Sequence, residues 1–122
     1  MAKKILVVDD DNSISELTRL ILESAGYACT VVNRGIECVQ RLEQEKYDLV
    51  LLDVAMPSFS GVDVISSLKK KGLLEGQRIV FFTASSSGLA IEPDLEDFGV
   101  LDCIRKPFSK KFLLEKIEGW LS

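Results

Sequence analysis

Five short apolar runs alternate with five stretches of helical spacing, and this restricts the fold more than any other feature of the chain. The runs cover residues 4–8 (β1), 28–32 (β2), 49–53 (β3), 78–82 (β4) and 101–104 (β5). Runs of four or five apolar residues, bounded by turn and charged residues, predict strands buried on both faces. Between them lie α1 over 13–25, α2 from residue 35 through Leu42, α3 from Val62 to the Lys69-Lys70-Lys71-Gly72 end, α4 over 93–98 and α5 over 109–121. Strict βα alternation implies an α/β protein: a doubly wound, five-stranded parallel sheet in a three-layer α/β/α stack. Right-handed crossovers leave few topologies, and the order 2-1-3-4-5 would put β1 and β3 side by side.

Each helix carries its own signals. Ser13-x-x-Glu16 reads as a capping box for α1, with Ile14, Leu17, Leu20, Ile21 and Ala25 as its stripe and Gly26 beyond its end. Asn33-Arg34-Gly35 opens α2, whose core stripe is Ile36, Val39 and Leu42. Ser58-Phe59-Ser60-Gly61 reads as loop, and the α3 stripe is Val62, Ile65 and Leu68. The lysines at the end of α3 complement the helix dipole. Residues 85–92 read as loop and Pro93 as the first position of a short α4. Ser109 caps α5, which turns Phe112, Leu113, Ile117, Trp120 and Leu121 toward the core.

The length of 122 residues suits one domain, 1–122, and a hydrophobic fraction of 47% is enough for one packed core. No apolar run has the length of a membrane span, and the four apolar residues after Lys4 are too few for a signal-peptide core, so a soluble cytoplasmic protein is expected. The three cysteines, Cys29, Cys38 and Cys103, form no C-x-x-C pair, and reduced, mostly buried thiols are expected. The absence of histidine excludes histidine-based triads and metal clusters. A net charge of −4 argues against direct nucleic-acid binding.

The chemistry gathers where the strands end. Asp9-Asp10-Asp11 follow β1, and Asp53 ends β3 just before Met56-Pro57 breaks the chain. Strand order 2-1-3-4-5 places Asp9, Asp10 and Asp53 on one edge. Two unit charges about 4 Å apart repel by about 4 kcal/mol at an effective dielectric of 20. A hard divalent cation removes that penalty and takes carboxylate, water and phosphoryl oxygens as ligands. Thr83, after β4, offers a hydroxyl on the same edge, and Lys106, after β5, an ammonium. Acids alone could be turn and cap residues. With Thr83 and Lys106 beside them they make a phosphoryl-binding pocket in which Asp53 can be the nucleophile.

These residues carry a resemblance. Val7-Val8-Asp9-Asp10, Leu51-Leu52-Asp53 with Met56-Pro57 and Gly61, Phe82-Thr83-Ala84, and Lys106-Pro107-Phe108 follow in order over essentially the whole chain. The chain thereby resembles the receiver domain of two-component response regulators, of the kind found in chemotaxis regulators. The resemblance implies the flavodoxin-like strand order 2-1-3-4-5. It implies that Asp53 accepts a phosphoryl group from a histidine kinase or histidine phosphotransfer protein. It further implies Mg²⁺, or Mn²⁺ in its place, held by Asp10, Asp53 and the backbone carbonyl of Ala55, with Asp9 helping through water. Thr83 matches the switch hydroxyl and Lys106 the lysine that pairs with a phosphoryl oxygen. A cis bond between Lys106 and Pro107 is a further family expectation, and Asp11 is left as a capping or solvent-facing residue. The implied protein is a phosphorylation-dependent signalling switch that catalyses only its own phosphorylation and dephosphorylation. It meets a downstream protein at the α4–β5–α5 face, works without a membrane, and is a monomer or a weak phosphorylation-dependent dimer. Both a free-standing receiver and the receiver piece of a larger regulator fit a chain that runs to Ser122.

Two positions depart from the family pattern. Cys103 stands where an aromatic residue or histidine is usual, three residues before the lysine, and a small thiol does not report burial as such a ring does. Ala55 puts no polar side chain over the phosphoryl group. A phosphohydrolase working through an aspartyl phosphate would need a second acid where Ala55 stands. A constitutive interaction module would use the fold without phosphorylation.

Overall fold

The computed structural model describes residues 2–56, 58–84, 99–106 and 108–121. The expected 85–92 loop, the expected α4 and the Lys106–Pro107 bond therefore lie outside the described residues. The strands are β1 Lys4–Val8, β2 Ala28–Val32, β3 Leu49–Asp53, β4 Ile79–Ala84 and β5 Asp102–Lys106. They form one parallel sheet in the order β2-β1-β3-β4-β5, as expected. The helices are α1 Asn12–Ser24, α2 Gly35–Gln44, α3 Gly61–Lys70 and α5 Lys110–Leu121.

Every β3 residue from Leu49 to Asp53 is buried, which fits a central strand covered on both faces. Alternation along the strands divides the core in two. Leu6, Val8, Val50, Leu52, Ile79 and Phe81 pack with Val39 and Leu42 of α2 and Val64, Ile65 and Leu68 of α3. Ile5, Val7, Leu49, Leu51, Val80 and Phe82 pack with Ile21 and Leu22 of α1 and Leu113, Ile117 and Leu121 of α5.

Helix faces and caps depart from the sequence reading in several places. Asp11, not Ser13, is the N-cap of α1: its side chain accepts from the backbone N–H groups of Ser13 and Ile14. Glu16 is turned to Arg19 instead of back to a cap. The buried face of α1 is Ser15, Thr18, Ile21 and Leu22, while Leu17 and Leu20 are 55% and 54% exposed. This helix has apolar residues on two stripes, so periodicity alone cannot choose between them. The inward hydroxyls are satisfied by the helix itself, Thr18 donating to the Ile14 carbonyl at 2.7 Å and Ser15 to that of Asn12 at 3.2 Å. Ile36, Val62 and Phe112 are likewise exposed at the ends of their stripes, and Trp120 is only partly buried. Ser60 caps α3 in a capping box with Asp63, so the helix starts at Gly61, where a loop was expected. Ser109 caps α5 as expected, accepting from the Phe112 N–H at 3.0 Å.

Candidate functional site

Register brings the distant acids together. Val8 pairs with both Val32 and Leu52, so Asp9 leaves β1 level with Asp53 at the end of β3. Asp53 pairs with Phe82 and Thr83 pairs with Arg105, and β4 and β5 run on through Ala84 and Lys106. Thr83 and Lys106 are therefore closing residues of their strands at the same end of the sheet, not residues beyond them as expected. By strand alternation Asp9, Asp53 and Lys106 share parity with Val7, Leu51 and Ile104 on the α1/α5 face. Thr83 shares parity with Phe81 and Cys103 on the other face.

Carboxylate oxygens of Asp9, Asp10 and Asp53 all lie within 4.8 Å of one another. Asp9 is fully buried, Asp53 is 5% exposed and Asp10 faces solvent. The Lys106 ammonium donates to Asp9 Oδ2 at 2.7 Å and stands 3.7 Å from Asp53 Oδ1. The other Asp9 oxygen accepts from the Asp11 N–H at 2.9 Å, and Asp53 Oδ1 accepts from the Ala55 N–H at 3.1 Å. Thr83 is buried at the end of β4. Four of the expected site residues, Asp9, Asp10, Asp53 and Lys106, thus converge, Ala55 borders them through its N–H, and Thr83 stands at the end of the adjacent strand β4.

Burial pushes the Asp53 carboxyl up, the Asp9 charge adds to this, Lys106 opposes it, and a hydrogen bond with Asp10 raises it again; it rises from 3.8 to about 7. Its protonated form is therefore favoured by folding. That stabilisation is fully present below about pH 4 and is lost as pH rises through about 7. Asp53→Asn is accordingly expected to stabilise the metal-free protein above pH 7 by a few kcal/mol, the order of magnitude of the upward shift, in which the attraction of Lys106 is already included. Below pH 4 the gain vanishes. Urea unfolding in a chelator at pH 4 and pH 8 checks this, and a destabilised variant at pH 8 would refute it.

The donor set fits a hard divalent cation. It is all oxygen and contains more negative charge than Lys106 alone can offset, and a cation would favour the ionised form of Asp53. The thiols lie elsewhere: burial pushes Cys29 and Cys38 up to about 12, so both stay protonated, as expected for reduced thiols. Cys103 is half-buried against the α2/α3 side of the core.

Two structural supports of the site had no structural role assigned from the sequence, although Gly61 belongs to the motif that carries the resemblance. Gly61 sits so close to the end of β3 that a Cβ there would meet the Asp53 carbonyl oxygen at 2.8 Å and Val54 Cα at 2.9 Å. Asn33 donates through Nδ2 to the Asp9 carbonyl at 2.8 Å. The only sequence signal for Asn33 was its place between the end of a strand and a glycine-started helix, which reads as a turn.

A family model described as "Response regulator receiver domain" matches residues 5–118. A transcriptional regulatory protein CpxR homolog of Haemophilus influenzae is 35% identical over 118 residues, covering 97% of this chain and 50% of that protein. The chain thus spans about half the length of the curated relatives it matches. A CheY-like receiver domain protein of Methanospirillum hungatei superposes with a TM-score of 0.87 at 31% identity, covering 98% of this chain and 94% of that one. The response regulator TrrA of Thermotoga maritima, solved in complex with Mg²⁺ and BeF, gives a TM-score of 0.82 at 34% identity, covering 98% and 99%.

Proposed function

This chain belongs to the response regulator receiver domain family, and from that membership we propose that it is a phosphorylation-dependent switch whose phosphoacceptor is Asp53. The observation that carries the reading is the convergence of Asp53 with Asp9, Asp10 and Lys106 at the crevice end of the sheet. Receiver domains of this family interact with histidine kinases or phosphotransfer proteins. For this chain the donor would be a phosphohistidine of such a protein, and its output would pass to a downstream partner at the face of β5 and α5.

An Asp53 carboxylate oxygen attacks the phosphorus, the phosphorus–nitrogen bond to the donor imidazole breaks, and an acyl phosphate forms. Lys106 already spans Asp9 and Asp53. It needs to move little to meet a phosphoryl oxygen and stabilise charge there. The Thr83 hydroxyl, at the end of the neighbouring strand β4, would donate to another oxygen. A Mg²⁺ ion, held by Asp10, Asp53 and the Ala55 carbonyl with Asp9 behind, would supply charge neutralisation for the acids and the phosphoryl oxygens. Ala55 leaves the site open on its side, which favours hydrolytic loss of the phosphoryl group.

Intact-mass measurement after incubation with Mg²⁺ and acetyl phosphate tests this. One phosphoryl adduct is expected on the wild type and none on Asp53→Asn. Steady turnover of added phosphoesters would favour a phosphohydrolase, and no adduct from any donor would favour a phosphorylation-independent module.

A further inference from the structure

We propose that Asn33 is a positioning residue for the cation site, holding the loop that carries Asp9 and Asp10 in its ligating arrangement. The inference rests on reading Asp9, Asp10 and Asp53 as a divalent-cation site. β1 and β2 run in register to Val8 and Val32, and the Asp9 N–H extends the ladder by one bond, to the Val32 carbonyl at 3.2 Å. β2 ends there, because Arg34 is already the N-cap of α2. The side-chain amide of Asn33 takes over, donating to the Asp9 carbonyl at 2.8 Å and to Ser15 Oγ at 3.3 Å. Ser15 is 2% exposed and in turn donates to the Asn12 carbonyl at 3.2 Å. One amide group thus ties the end of β2 to both the acid loop and the first turn of α1.

Lys106 and the Asp11 N–H hold the Asp9 carboxylate. They hold the side chain, whereas Asn33 holds the backbone from which both Asp9 and Asp10 project. Asn33 also lines, with Asp10, Arg34, Ile36, Met56 and Phe59, a cleft of about 190 Å³ beside the acids. It lies close to the site without belonging to the expected ligand set.

The test is the dissociation constant for Mg²⁺ by calorimetry and for Mn²⁺ by paramagnetic resonance, in wild type, Asn33→Ala, Asn33→Asp and Ser15→Ala. Asn33→Ala is expected to weaken binding about tenfold, the scale on which groups behind a ligand shell act. Phosphorylation by acetyl phosphate should need more Mg²⁺ for half-saturation yet approach the wild-type rate at saturation, a split that general destabilisation would not produce. Ser15→Ala keeps the bond to Asp9 and should bind nearly as wild type. Asn33→Asp adds a negative charge but cannot donate, so pure electrostatics predicts tighter binding and positioning predicts weaker. It also decides the matter if Asn33→Ala folds poorly. Unchanged constants in Asn33→Ala, or wild-type or tighter binding in Asn33→Asp, overturn the proposal. A wild type that binds neither ion overturns the cation-site reading itself, and this inference with it.

Discussion

Lys106→Ala is expected to destabilise the metal-free protein by about 3 kcal/mol at pH 8, the lower end of the cost of breaking a buried ion pair. The side chains of Lys106, Asp9 and Asp53 are 16%, 1% and 7% exposed, so solvent screens little of their interaction. Removing the ammonium leaves two buried carboxyl groups facing each other with their main counter-charge gone. Protonation of Asp53, already shifted to about 7, offers partial relief. The loss should therefore shrink toward pH 5, where Asp53 is neutral. Mg²⁺ should stabilise the variant more than the wild type, because the lysine no longer competes for the same oxygens. Urea unfolding at both pH values, with and without Mg²⁺, measures all three effects. Equal midpoints at pH 8 without metal would show that the ion pair is not holding the acids in place.

Gly61→Ala should cost about 2 kcal/mol of stability and slow phosphorylation by roughly a hundredfold. The new Cβ would meet the Asp53 carbonyl oxygen at 2.8 Å and Val54 Cα at 2.9 Å. Both are backbone atoms of the strand end, so no side chain can rotate away. The Gly61 N–H also donates to the Val54 carbonyl at 2.9 Å, which pins the start of α3 to that point. Either α3 retreats or the β3 terminus shifts, and in the second case the nucleophile moves with it. The rate of adduct formation with acetyl phosphate, compared with the unfolding midpoint, separates the two. A variant that loses stability but keeps its rate would mean that α3 has yielded and Asp53 has stayed.

Asp53, Asp9, Asp10, Thr83 and Lys106 were legible because each lies at or just past the end of an apolar run. A parallel sheet brings all such ends to one edge whatever the helices do. The strand order followed from right-handed crossovers and from family likeness. The helix faces were less legible. α1 has apolar residues on two stripes, and its contact with the sheet buried Ser15 and Thr18 while leaving Leu17 and Leu20 in water. Its cap was misread because Ser13 and Asp11 both have capping side chains, and the path of the chain out of β1 gave the position to Asp11.

The sequence by itself determined the alternation of elements and the identity of the reactive groups, since both are written in local runs and residue types. Tertiary structure alone decided that Lys106 binds Asp9 more closely than Asp53, that Gly61 presses on the nucleophile's own backbone, and that Asn33 completes the β1–β2 ladder. Those contacts join residues 97, 8 and 24 positions apart in the pairs Lys106–Asp9, Gly61–Asp53 and Asn33–Asp9. Their distances depend on how helices and strands pack, which no local pattern encodes.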